Sequence, residues 1–272
     1  MDADNTLPVI GKLTSIYASS LLIALLTAIV SIAGLLSPHL FYPTEELVQT
    51  FVPNDVVDLF IGVPILLGSI WAARRGKLLG LLFWLGALFF GFYNSIAYAF
   101  TLPFNWGFLL HLLLVVIDVY TLIALAVSVD GKAIQHQLRD AVYEKINGGV
   151  LAGFGFFFFL RVIAISVNAL IVGSALTETE LAPNISDIFV APAFIIIGIA
   201  LWKRKTIGYV AGLALLFQVS MLFIGLIILL LLQPILTSAP FAVTDFIVIL
   251  LMGFICYVPC ILFMRGVMAR SR

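Results

Sequence analysis

The chain has 272 residues, of which 63% are hydrophobic and 10% charged, and its 14 basic and 14 acidic side chains leave a formal net charge of zero. A soluble domain of this length needs far more polar surface, so the mean hydropathy of +1.20 puts the chain among polytopic α-helical membrane proteins, and its balanced charge offers nothing to nucleic acid. A β-barrel would read as short alternating segments; the apolar runs here are continuous and reach about 18 residues or more, enough to cross roughly 30 Å of hydrocarbon.

The N-terminus, "MDADNTLPVIGK", is acidic and polar and lacks the basic flank of a signal peptide. The first apolar run, 15–36, is therefore expected to stay as the first span. A longer polar connection follows, "SPHLFYPTEELVQTFVPND". The second span is expected over 56–73, ending at "RRGK", the third over 78–100, and the fourth over 106–128 after a short "TLPFN". The stretch "VDGKAIQHQLRDAVYEKINGG" is the most polar in the chain, and Lys132, Arg139, Asp140, Glu144 and Lys145 suit an amphipathic surface helix. Four more spans are expected over 150–174, 187–202, 207–232 and 243–264. The fold class is thus an all-α polytopic bundle of about eight transmembrane helices in one membrane domain. A four-span half over 1–129, a cytoplasmic amphipathic linker over 130–148 and a second four-span half over 149–272 divide it.

Orientation follows from the basic residues. In this arrangement Lys12, Arg74, Arg75, Lys77, Lys132, Arg139, Lys145, Lys203, Arg204, Lys205, Arg265, Arg270 and Arg272 all fall on one side. The other side carries Glu45, Glu46, Asp55, Glu178 and Glu180 and no Lys or Arg. The positive-inside rule makes the first side cytoplasmic, with both termini inside a cell (inner or plasma) membrane. The segment "DLFIGVPILLGSIWAARRG" (58–76) also resembles "DIFVAPAFIIIGIALWKRK" (187–205), each with an outer Asp, a proline one to two turns in, and a Trp and basic cluster at the end. Four spans per half give both halves the same orientation, which predicts a parallel repeat about an axis along the membrane normal.

Two charges fall near the middle of predicted spans: Asp118 in the fourth, and Arg161 in the fifth within "FFFFLRVIAISVNAL" (156–170). An ionisable side chain at mid-membrane costs roughly 2.5–3.5 kcal/mol, so two of them in consecutive antiparallel spans invite pairing. His111, Val115 and Asp118 share one helical face, as do Arg161, Ile165 and Asn168. Both ladders extend outward by roughly 10 Å. The expectation is an Arg161–Asp118 pair flanked by His111 and Asn168, serving as a structural lock or as a buried ligand-binding or proton-relay site.

Asp58, Asp187 and Asp245 stand near the outer starts of spans, where a carboxylate caps free amides. The alternative is a ring of outer carboxylates around a vestibule for a cation. Pro64, Pro192 and Pro259 are candidates for helix breaks near such a site. Asn94, Tyr98 and Gln218, with Tyr93 beside the first two, are expected to hydrogen-bond between helices, and the phenylalanines at 156–159 to face lipid and packing surface. "NIS" at 184–186 is a glycosylation sequon on the outer side. Cys256 and Cys260 read as buried reduced thiols on one helix face. There is no Walker A motif, His-x-x-x-His pair, Gly-x-Ser-x-Gly elbow or Cys-x-x-Cys, so the motifs assign no catalytic residue, cofactor or metal.

The stretches "YPTEELVQTFVPNDVVDLFIGVPILLGSIWAARRG", "GLLFWLGALFFGFYNSIAYAF" and "GYVAGLALLFQVSMLFIGLI" resemble an uncharacterised family of prokaryotic eight-span integral membrane proteins. The resemblance implies a bacterial or archaeal cell membrane and brings no activity, substrate or site residue with it. Three readings stay open on the residues themselves. The first is a transporter or permease-like protein for a small polar or ionic solute, and the second an intramembrane enzyme acting on a lipid or isoprenoid. The third is a membrane scaffold or sensor partner docking through 130–148. The lipid bilayer is the partner common to all three.

Overall fold

A computed structural model describes residues 7–270, apart from the side chains of Glu178 and Thr179. The acidic start at 1–6, the Glu178 side chain and Arg272 lie outside the described residues. Ten helices form, eight of them long and apolar enough to cross a membrane. The spans are α1 (Thr14–Leu36), α3 (Glu45–Arg74), α4 (Leu78–Thr101), α5 (Trp106–Ser128), α7 (Glu144–Val172), α8 (Glu178–Trp202), α9 (Thr206–Leu236) and α10 (Val243–Arg270). Two short helices lie between them, α2 (Pro38–Phe41) and α6 (Gly131–Leu138). Among the described residues there is no strand; a single β-bridge joins Val9 to Val129. The chain is a multi-pass membrane protein with an all-α bundle fold.

Three helix starts differ from the sequence expectation, each for a visible reason. Helix α3 begins at Glu45 because the Thr44 hydroxyl accepts from the Leu47 amide. Helix α8 begins at Glu178, where Thr177 and Glu180 form a capping box. The surface helix of the linker ends at Leu138, with Ile134 and Leu138 buried beneath it. Asp140 then takes a left-handed backbone conformation, and α7 starts at Glu144.

Helices α4 and α9 form the centre. Gly86 of α4 lies so close to α9 that a Cβ there would meet the Ala214 carbonyl, and Phe83 stacks on Phe217 at 4.1 Å. Helices α1–α5 and α7–α10 share a pattern of neighbours. Helix α1 packs on α3 and α5, as α7 packs on α8 and α10; α4 runs beside α3 and α5, as α9 runs beside α8 and α10. The contact of α7 with α8 is close because Gly148, Gly155 and Gly198 present bare backbone across it, the small-residue packing that replaces hydrophobic driving force in lipid.

A tight turn recurs 128 residues apart. Gly76 and Arg204 both adopt positive φ. Lys77 N–H donates to the Ala72 carbonyl as Lys205 N–H donates to that of Ala200. Gly80 abuts the backbone of Ala72 and Ala73 as Gly208 abuts that of Ala200 and Leu201. Pro64 and Pro192 keep this spacing, but Asp58 and Asp187 are offset by one residue more. The extra residue sits in a π-turn over Asp58–Gly62, closed by the Val63 amide on the Asp58 carbonyl. A π-turn holds one residue more than an α-turn, and it accommodates the ring of Pro64 just beyond it. Pro192 and Pro259 break nothing: both lie inside continuous helices.

The basic segments gather at one end of the bundle. The Arg204 guanidinium bonds Asp140 at 2.9 Å and approaches Glu144 at 3.5 Å. Gln135 donates to the Arg204 carbonyl, Thr206 donates to Gln135, and Gln137 donates to the Arg270 carbonyl. The linker is thereby tied to the α8–α9 turn and to the end of α10.

Candidate functional site

Arg161 does not meet Asp118. Its Nη2 donates to Asp187 Oδ2 at 2.8 Å, and Tyr93 donates to the other oxygen of Asp187 at 3.0 Å. The cause is the packing: α7 lies along α8 rather than α5, because the 131–143 connection carries the chain away from the end of α5. The guanidinium is 31% exposed and the carboxylate 6%. Both sit roughly 14–16 Å inside the outer ends of their helices at 1.5 Å per residue. Asn168 is exposed and takes no part.

Asp58 and Asp187 are not caps. Their helices start well upstream, so both carboxylates lie inside the membrane-spanning part. Asp245 is exposed in the first turn of α10, apart from the other two. The outer carboxylates therefore do not form a ring.

The structure instead builds a polar column through the part of α1, α3, α4 and α5 remote from the basic segments. At its mouth, Tyr42 donates to Asp55 Oδ2 at 2.7 Å and Tyr98 donates to Asp55 Oδ1 at 2.9 Å. Burial, then the neighbouring Asp55 charge, holds the Tyr42 hydroxyl well above its ordinary pKa, so it remains a proton donor. Gly34 of α1 makes room for this pair, since a Cβ there would collide with both the Asp55 carboxylate and the Tyr42 hydroxyl. One turn deeper, Asp58 accepts from Asn94 at 2.7 Å and from Asn54 at 3.3 Å. Asn54 also donates to the Tyr98 hydroxyl.

The Tyr98 ring stacks on His111, with centroids 4.2 Å apart and planes within 1°. His111 Nδ1 lies 2.8 Å from the Gly107 carbonyl. That contact makes Nδ1 the protonated nitrogen and leaves Nε2 as an acceptor. Deepest is Asp118, 0% exposed. Ser95 donates to its Oδ2 at 3.1 Å, and its Oδ1 has no partner among the described residues.

A cavity of about 20 Å³, the scale of one water molecule, is lined by Thr27, Asp58, Asn94, Ser95, Tyr98 and His111 among others. A second cavity of the same size shares Thr27, Asp58 and Gly91 with it. The Asp118 carboxylate does not line this space; it stands behind Ser95 and Gly91, both of which do, about 3.8 Å from where a Gly91 side chain would begin. Toward the basic end the column stops at packed apolar side chains, with Leu85, Leu88, Leu114 and Leu122 all buried. Trp84 lies there too, stacked on Tyr17 and donating to Ser20.

His111 and Asp58 thus line one cavity, and Asp118 joins them through Ser95. Arg161 and Asp187 form a separate pair, with α4 between them: its Tyr93 reaches one aspartate and its Asn94 the other. The residues that sequence reading missed are Asp55, Asn54, Tyr42, Ser95 and Thr27. The Thr44–Leu47 cap was the available signal for Asp55, since it carries 45–57 into a helix and Asp55 and Asp58 into the bundle.

Among the described residues, Asp55, Asp58 and Asp118 have no Lys or Arg partner; the ion pairs are Arg161–Asp187 and Arg204 with Asp140 and Glu144. No three His, Cys, Asp or Glu side chains converge in metal-ligating geometry among them. Gln218 is fully buried with neither amide atom partnered among the described residues, contrary to the expected interhelical bond. Asn184 of the sequon is 2% exposed inside α8, and Ser186 donates to the Tyr93 carbonyl, so the sequon is not a surface acceptor. Cys256 and Cys260 are both buried and free. Of the phenylalanines, Phe156, Phe157 and Phe159 face outward, while Phe158 packs on Phe154, Phe194 and Phe223. No protein-family model, curated protein or solved structure matches the chain.

Proposed function

We propose that the protein is a permease-like carrier of a small polar or ionic solute in a prokaryotic cell membrane. Its solute would enter from the acidic outer face and be held by the first-half column of Asp58, Asn94, Ser95, His111 and Asp118. The observation that carries this reading is Asp118: a fully buried carboxylate with an oxygen unpartnered among the described residues, bonded to Ser95, which lines a polar cavity with Asp58. A buried charge is retained against its cost where it binds something. The column ends on apolar packing, as the outer half of an alternating-access pathway does before the inner half opens.

In this reading the chain is two parallel four-helix halves, 1–129 and 149–272, joined by a linker that extends from 130 to about 148. The recurring turn, the one-residue π-turn offset and the matching neighbours support it. The basic end is cytoplasmic by the positive-inside rule, with both termini there. Arg161–Asp187 is the structural lock, and Asn168 and Asp245 drop out of the site.

The test is flux. Proteoliposomes loaded with a panel of isotopically labelled ions and small polar metabolites should show uptake of one class of compound. Asp118→Asn and Asp58→Asn should abolish that uptake while size-exclusion profiles stay unchanged. Uptake that survives both substitutions would remove the column from the pathway. Single cysteines placed at Ser238 and at Ser128, in a background lacking Cys256 and Cys260, should label from outside and inside respectively; the reverse would invert the orientation.

A further inference from the structure

Asp58 and Asp187 occupy matching places in the two halves, each well inside the same kind of proline-bearing helix and five or six residues before its proline. The structure gives them opposite surroundings. Asp187 has a guanidinium at 2.8 Å, delivered by α7. The helix that packs on Asp58 in the same way is α1, and it has no Asp, Glu, Lys or Arg between Thr14 and Leu36. It presents Thr27 and Val30 to the cavity instead. The second half therefore carries its own cation, and the first half has at the same place a carboxylate, a space of about 20 Å³ and a ring of oxygens.

The donor set narrows what fits there. Thr27, Ser95 and Tyr98 offer hydroxyl oxygens. Asn94 spends its amide nitrogen on Asp58, which leaves its carbonyl oxygen as an acceptor. Asp58 contributes a carboxylate, and behind Ser95 the Asp118 carboxylate keeps an Oδ1 with no partner among the described residues. Hard oxygen donors suit an alkali cation or a proton rather than a soft metal. The space is on the scale of one water molecule and excludes an organic cation.

We propose that the first-half column is a binding site for one small monovalent cation, Na+ or H+, held at Asp58, with Asp118 behind the cavity-lining Ser95, where the second half uses its built-in Arg161. This inference deepens the carrier reading by naming the ion, and it rests on the assignment of the column as the solute site. The other titratable groups facing it are Asp55 on the same helix, Tyr98 on α4, His111 on α5 and Tyr42 beside Asp55, none of them a fixed cation. Na+ and H+ neutralise the same carboxylate, so they compete: binding of Na+ releases a proton from the site when the proton is there first.

The test is equilibrium binding in detergent, which requires no transport. Purified protein in Na+-free choline chloride is titrated with ²²Na+ in a scintillation proximity assay, and protons released on adding NaCl are followed in weakly buffered solution. Saturable ²²Na+ binding that falls as pH is lowered and is lost in Asp58→Asn supports Na+. Absence of ²²Na+ binding, with a protonated-carboxyl infrared band that titrates and disappears in Asp58→Asn or Asp118→Asn, supports H+. Absence of both signals overturns the proposal, as does binding that survives both substitutions. Asn retains an oxygen that can accept from Asn94 at position 58 and from Ser95 at position 118, so these variants are expected to fold, and Asp245→Asn is the control that leaves binding intact. The two readings fail separately: cation binding without flux would sink the carrier, and solute flux without cation binding would sink this site.

Discussion

The Arg161–Asp187 pair makes the most quantitative prediction, because the two partners lose different things when the other is removed. In Asp187→Leu the guanidinium keeps its charge at membrane depth and the Tyr93 hydroxyl loses its acceptor. Removing one partner of a buried pair costs about 3–5 kcal/mol. The partial exposure of Arg161 lets the side chain snorkel toward the interface, which puts this variant near the lower end, at about 3 kcal/mol. In Arg161→Leu the carboxylate still accepts from Tyr93 and can neutralise itself by taking a proton, so the loss is smaller, about 1–2 kcal/mol. The double variant Arg161→Leu/Asp187→Leu leaves two apolar side chains at an apolar depth and should return to within about 1 kcal/mol of the parent. The cycle therefore predicts a non-additivity of roughly 3 kcal/mol, read by reversible unfolding in mixed detergent micelles. A double variant that loses the sum of the two single effects would refute the lock. So would an equally large coupling between Arg161→Leu and Asp118→Leu, which would restore the pairing expected from sequence.

Three further outcomes follow from the packing. Gly34→Ala should cost about 1–3 kcal/mol, since its methyl group has to displace Asp55 and Tyr42; the ordinary helix gain of about 1 kcal/mol for this change, seen as a raised unfolding midpoint, would show that the mouth of the column is loose. Gly80→Val and Gly208→Val should each destabilise by about 1–3 kcal/mol because the new side chains meet backbone. Gly153→Ala, with nothing within 4 Å, should instead stabilise by about 1 kcal/mol; equal effects at the three glycines in thermal denaturation would refute the recurring turn as a tight contact. Deleting Ile61 should convert the π-turn to an α-turn and rotate Asp58 by roughly 100° relative to the rest of α3. The expected result is a folded protein that has lost the flux and cation signals of the column; retention of both would show that the π-turn does not position Asp58.

The large-scale features were legible because hydrocarbon thickness and the charge rule act on whole segments. The span over 106–128 matches α5, and the basic residues cluster at one end as read. What sequence could not supply was partners. Arg161 was assigned to Asp118 because spans four and five are consecutive, yet helices consecutive in sequence need not touch when a linker of this length separates them. Asp58 and Asp187 were taken for caps because the helix starts were set by hydropathy, which drops at polar turns such as "EELVQTFVPND" and "TETELAPN" even where a Thr cap begins a helix. The signal is present in Thr177-x-x-Glu180, and the helices also contain Pro53 and Pro183. The face shared by Asn94 and Tyr98 was read correctly, since helical spacing needs no knowledge of the partner.

Under the proposed repeat and carrier readings, the two halves make the same scaffold serve different ends. In each, a proline-bearing helix brings an aspartate to a similar depth beside the central α4, and α4 answers both, Tyr93 to one and Asn94 to the other. The second half neutralises its aspartate internally, and the close glycine contact of α7 with α8 keeps that arrangement fixed. In the first half the π-turn turns Asp58 toward Asn94, Gly91 leaves space before Asp118, and α1 supplies only hydroxyl and apolar groups. An aspartate that already holds an arginine has nothing to exchange, whereas one bounded by neutral oxygens can change partners with the solution outside. Under the carrier reading, the asymmetry between Asp58 and Asp187 is therefore what separates the half that works from the half that holds.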